Sequence, residues 1–143
     1  MKIRFETLLK EGKIKAVQSS PKEVNEILSL AERDIKMAEF VATQNLDWAF
    51  TIAYNAALQA SRAYMYHKGY RPSAQHGHKN TFEFMKIALS EEHKNIIGFF
   101  DRMRSKRNIA IYDMTGLITE TEVKELIEKS KGYVRTITKM IRG

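Results

Sequence analysis

No cysteine occurs in the 143 residues, so disulfide bonds and thiolate-bound metals are excluded. Two prolines and seven glycines leave little punctuation for a sheet-rich fold, which needs frequent tight turns. No apolar run approaches the roughly 20 residues needed to span a bilayer, and the first residues lack the apolar stretch of a signal peptide. The expectation is a soluble, cytoplasmic protein. No segment alternates polar and apolar residues with period two over a convincing length. Internal repeats, low-complexity tracts and interdomain linkers are also missing.

The residues present suit a globular chain, with 43% hydrophobic and 29% charged. The length fits one domain over residues 1–143, divided into a short helix and connector (1–19) and a bundle (20–143). Twenty-four basic against 17 acidic residues give a formal charge of +7, which favours encounters with nucleic acid, nucleotides or an acidic partner. Charge alone does not choose among them.

Helical periodicity organises the chain. Phe5, Leu8 and Leu9 mark a short amphipathic helix that stops at Gly12, and 13–19 reads as a connector. Ser20-Pro21-Lys22-Glu23 is a capping box with proline at the first helical position. Val24, Ile27, Leu28, Ala31, Ile35, Ala38 and Ala42 carry that helix to about Gln44. A second helix starts at Asn45 and Asp47 and terminates at Gly69. Its line of Ala49, Ala53, Ala56, Ala60 and Ala63 lets two helix axes approach closely, and Trp48, Ile52, Tyr54 and Leu58 widen the apolar surface. Asn55, Gln59 and Arg62 form a separate polar line. A loop from Tyr70 to Gly77, a short helix over 80–89, and a long helix capped by Ser90 and ending near Asp113 follow. Thr119-Glu120-Thr121-Glu122, a second capping box, opens the last helix, with Val123, Leu126, Ile127, Val134, Ile137 and Ile141 facing inward. The fold class is therefore all-α, an up-and-down bundle of four main helices with short accessory helices.

One run breaks the pattern. Ile96, Phe100, Met103, Arg107, Ala110 and Met114 stay within roughly 40° of one line at ~100° per residue, so Arg107 occupies an apolar stripe. Arg104 lies beside Ile97 and Ile111. A guanidinium stays charged and is costly to desolvate without a partner. The run therefore needs a carboxylate, another subunit or a phosphate. Arg102, Arg104, Lys106 and Arg107 are the candidate anion- or RNA-binding residues. Arg104, Asn108 and Tyr112, spaced by four, make a strip suited either to recognition or to a dimer seam. A purely structural alternative pairs Arg107 with Asp113 or Asp34. His76 and His78 supply at most half of a tetrahedral metal shell, so no metal is expected and a hydrogen bond to the bundle suits them better. His67 suits a capping or packing role, and His93 is expected in solvent. No cofactor is expected.

Several segments resemble the HEPN superfamily. They are Leu30 to Ala38, Asp47 to Ala57 with Gly69-Tyr70-Arg71-Pro72, Gln75 to Phe82, and Lys106-Arg107-Asn108-Ile109-Ala110-Ile111-Tyr112-Asp113. Together they cover roughly residues 28 to 137. The resemblance implies a helical bundle that binds RNA or nucleotides, a homodimer pairing two copies of the arginine segment around one cleft, and Asn55 and Asp113 as supporting residues. It also implies a toxin–antitoxin arrangement with a minimal nucleotidyltransferase, in which Tyr112 accepts a nucleotide. Ribonuclease members carry arginine, four to six residues, then histidine; here Tyr112 follows Arg107 and no histidine lies downstream. As an endoribonuclease, the chain would use Arg107 for phosphorane charge, Asn108 to orient a phosphate or base, and Tyr112 as acid or base. A phenol with a pKa of about 10 is a weak base unless neighbouring arginines depress it. A third class is a dimeric interaction module without a ligand.

Overall fold

The computed structural model describes residues 2–109 and 116–143, with side chains from Phe5 onward. Its elements are α1 (Lys2–Lys10), β1 (Ile14–Ala16), α2 (Pro21–Val41), α3 (Leu46–Lys68), β2 (Tyr70–Pro72), α4 (Gly77–Ala88), a 3-10 turn (Glu91–His93), α5 (Lys94–Asn108) and α6 (Glu120–Arg142). The long helices α2, α3, α5 and α6 form an all-α bundle, with α1 and α4 as accessories.

Local chemistry sets the helix ends. The Ser20 hydroxyl accepts from the Glu23 amide at 3.2 Å, and the Glu23 carboxylate accepts from the Ser20 amide at 3.1 Å. Thr119 and Glu122 repeat the exchange at α6, at 3.1 and 3.0 Å. Both boxes satisfy donors that a helix start otherwise leaves bare. Asn45 caps α3 by accepting from the Trp48 amide at 2.9 Å, and Gly69 ends it at φ 91°, where a Cβ would be strained.

Helix α3 is the centre of the molecule, packing against α2, α4, α5 and α6. The contact between α2 and α3 is the most extensive, and every alanine of the predicted seam is fully buried. A chain of rings ties the other helices to α3. Tyr54 meets Phe82 of α4 at 6.1 Å, Phe82 meets Phe100 of α5 at 6.3 Å, and Phe100 meets Tyr133 of α6 at 4.9 Å. Rings at 4.5–7 Å add about 0.5–1.5 kcal/mol per pair beyond their buried area.

Several expectations need correction. The connector over 13–19 holds β1, which pairs antiparallel with β2, placing Lys15 opposite Arg71. Three residues are too few for a period of two to register. The 80–89 helix begins at Gly77, because His76 takes a left-handed conformation (φ 57°) that turns the chain in. Ser90 opens a 3-10 turn instead of capping α5 directly. Trp48, expected to widen the apolar surface, is 62% exposed, since it shares the helix line of Asn55, Gln59 and Arg62. Helix α2 also ends at Val41, short of Gln44. His93 is half-buried against the expectation of solvent, and His67 is exposed beside the Tyr64 ring. The expected run of α5 to Asp113 lies outside the described residues.

Ser61 and Tyr133 share a buried hydrogen bond of 2.7 Å between α3 and α6. Ser61→Ala leaves the Tyr133 hydroxyl unpaired where water is excluded, a loss of about 1–3 kcal/mol. Adding Tyr133→Phe removes the orphaned group and should recover most of that loss, measured by denaturant unfolding.

Candidate anion-binding site

The ring chain also carries the polar site. His78 lies one helical turn before Phe82 on α4, and Arg104 lies one turn after Phe100 on α5. Packing Phe82 against Phe100 therefore brings His78 toward the arginines of α5. Tyr54 reaches both from α3. Its hydroxyl lies 3.2 Å from His78 Nδ1, and the Arg107 guanidinium sits 5.7 Å from its ring centroid. Tyr54 is fully buried, so Arg107 covers the face of a dry aromatic ring.

The remaining partners are sparse. Arg104 Nε donates to Asp101 at 3.1 Å, and both side chains are partly exposed. Arg107 donates to the Asn108 side-chain oxygen at 3.1 Å. Among the described residues no carboxylate pairs with Arg107. Arg62, from the polar line of α3, donates to Gln59 at 3.1 Å and adds its charge to the region.

Electrostatics follow from this crowding. Burial lowers the pKa of the His78 imidazole, and the charges of Arg107, Arg104 and Arg62 lower it further. Burial pushes the Tyr54 phenol well above its ordinary range, and Arg107 and Arg104 offset only part of that rise. At neutral pH the pair is thus an uncharged imidazole and a protonated phenol inside a ring of guanidinium groups.

The four proposed basic residues separate. Arg104 and Arg107 face Tyr54 and His78. Arg102 is exposed and lies back along α5 over Gly98, at least roughly 140° around the helix from the other two. Lys106 forms an ion pair with Glu122 at the start of α6. Asn108 stands next to Arg107. Asn55 points elsewhere among the described residues, donating to Asp34 at 2.9 Å, and the other oxygen of Asp34 binds Arg33 at 3.1 Å. Asp34 therefore spends its carboxylate on Asn55 and Arg33, not on Arg107. Tyr112 and Asp113 lie outside the described residues.

Sequence reasoning placed His78 in a loop and missed Tyr54, Asp101 and Arg62 as neighbours of the arginines. Spacing held part of the signal, since His78 and Phe82 share one face of an amphipathic helix. Pairing α4 with α5 needed the fold. Removing Arg107 takes away a charge that disfavours imidazolium, so Arg107→Ala should raise the His78 pKa toward the ordinary histidine value. An NMR titration of the imidazole signals checks this, and an unchanged midpoint would contradict the placement.

A model of the HEPN domain family matches residues 24–140, from the first turn of α2 almost to the end of α6. The crystal structure of an archaeal HEPN homologue superposes with a TM-score of 0.63 at 17% sequence identity, covering 82% of this chain and 97% of the other. No curated protein matches the chain. With most of its length matched, including His78, Arg104 and Arg107, the chain belongs to the HEPN domain family.

Proposed function

We propose that this HEPN protein binds single-stranded RNA, or a partner carrying a nucleotide, through Arg104, Arg107 and Asn108, with Tyr112 of the same sequence segment as a further candidate. One observation carries the reading. Two guanidinium groups converge on Tyr54 and His78, and Asp101 is their one carboxylate partner among the described residues. A group with spare positive charge beside an aromatic ring and an uncharged imidazole suits a phosphate backbone with a neighbouring base.

Arg102 and Lys106 are weaker parts of that site. The first points away, and the second already has Glu122 as its counterion. Within the same reading, the protein acts in the cytoplasm as a homodimer and as one half of a toxin–antitoxin pair with a minimal nucleotidyltransferase. The broad exposure of Phe40 (71%) and Trp48 (62%) supports a protein contact on the α2–α3 side. Among the described residues, no helix is long and apolar enough to cross a membrane. Co-purification with a nucleotidyltransferase and a nucleotide-sized mass shift on Tyr112 test the pairing; a lone, unmodified protein counts against it.

Binding to RNA has a separate check. Filter binding at two salt concentrations should show log affinity falling with log salt by about 0.7 for each phosphate contacted. Arg104→Ala and Arg107→Ala should each weaken binding and reduce that slope by about one contact, while Arg102→Ala should change little. Equal binding by all four proteins would reject the site. A cleavage assay on the same RNA, comparing wild type with Arg107→Ala, separates an endoribonuclease from a binding protein. Equal background in both would remove the catalytic alternative.

A further inference from the structure

The histidine missing after Arg107 has a counterpart in space. His78 comes from α4, some thirty residues earlier in the chain, and its environment specifies which nitrogen carries the proton.

Tyr54 is fully buried and its phenol stays protonated. Its O–H needs an acceptor, and the partner it has among the described residues is His78 Nδ1, at 3.2 Å. The hydroxyl therefore donates to Nδ1, and a neutral ring with Nδ1 accepting carries its hydrogen on Nε2. Nε2 has no hydrogen-bond partner among the described residues, and the His78 side chain is only half-buried. The groups facing His78 are Tyr54 and Arg62 from α3 and Arg104 and Arg107 from α5. Tyr54 is already engaged at Nδ1, and the three guanidinium groups have no acceptor for an Nε2–H.

We infer that His78 is a phosphate-positioning residue, its Nε2–H donating to a non-bridging oxygen of an RNA phosphodiester whose charge Arg104 and Arg107 neutralise. The inference rests on the RNA-binding reading above and assigns that site a third, uncharged donor. Division of labour follows from the chemistry. The arginines supply charge and tolerate many geometries, whereas the imidazole, fixed by Tyr54 at one nitrogen, supplies a directed hydrogen bond at the other.

The test uses the full-length protein, a fluorescently labelled single-stranded oligouridylate, and anisotropy at several salt concentrations. His78→Ala should weaken binding about tenfold, as expected for losing a hydrogen bond to a charged acceptor, with the salt slope unchanged because no charge is lost. His78→Gln, whose amide nitrogen can donate from a similar position, should stay within about twofold of wild type. Circular dichroism melting confirms that both variants are folded. The inference is overturned if His78→Ala binds like wild type, or if His78→Gln is as weak as His78→Ala. A salt slope that drops by one contact in His78→Ala would also overturn it, since the ring would then act as a cation. Binding lost in Arg107→Ala but insensitive to His78 would reject this inference alone. No binding by wild type would reject the RNA reading along with it.

Discussion

Contact among four rings sets the positions of everything polar in this bundle. Tyr54, Phe82, Phe100 and Tyr133 come from α3, α4, α5 and α6, and each touches the next. A helix can slide or rotate against its neighbour only by breaking such contacts, because a packed interior has discrete arrangements and few voids. The register between α4 and α5 is thereby fixed to within a side chain. One turn beyond those rings lie His78 and Arg104. The site is a by-product of core packing continued outward by a single helical turn.

The arginine in an apolar stripe finds its explanation here. Arg107 occupies its predicted line, and its partners are the face of the Tyr54 ring and the Asn108 side chain. A half-buried guanidinium against a ring keeps access to water on one side, so its desolvation is partial. Asp34, considered as a counterion from the sequence, instead binds α2 to α3 through Asn55. Two buried-looking charges in the sequence thus have different roles, one holding helices together and the other left with charge to spare.

Much of the fold was legible because helix signals are local. Both capping boxes, the Asn45 cap, the Gly69 stop and the alanine seam were readable from spacing, since each depends on residues within a turn or two. The β1–β2 pair escaped notice because each strand has three residues and its partner lies more than fifty positions away. Trp48 misled because its size suggested burial, while its position on the polar line of α3 indicated the open side. For the site, the α5 arginines could be picked out from periodicity alone. His78 could not, because its relation to Arg107 passes through three helices and no sequence spacing encodes it.

The first sixteen residues bear on the same place from behind. Phe5 of α1 stacks on Phe84 of α4 at 4.5 Å, Lys13 binds Glu83 at 3.0 Å, and the Ser73 amide donates to the Lys13 carbonyl at 3.0 Å. Strand β1 holds β2, which leads into the turn before α4. None of these groups touches the arginines, and all of them precede residue 24, where the family match begins, or contact something that does. They act as a backstop, clamping α4 from the side opposite α5. A chain trimmed to the matched region would retain its four long helices and the packing of α4 on α3 and α5, but α4 would lose the support on its outer side.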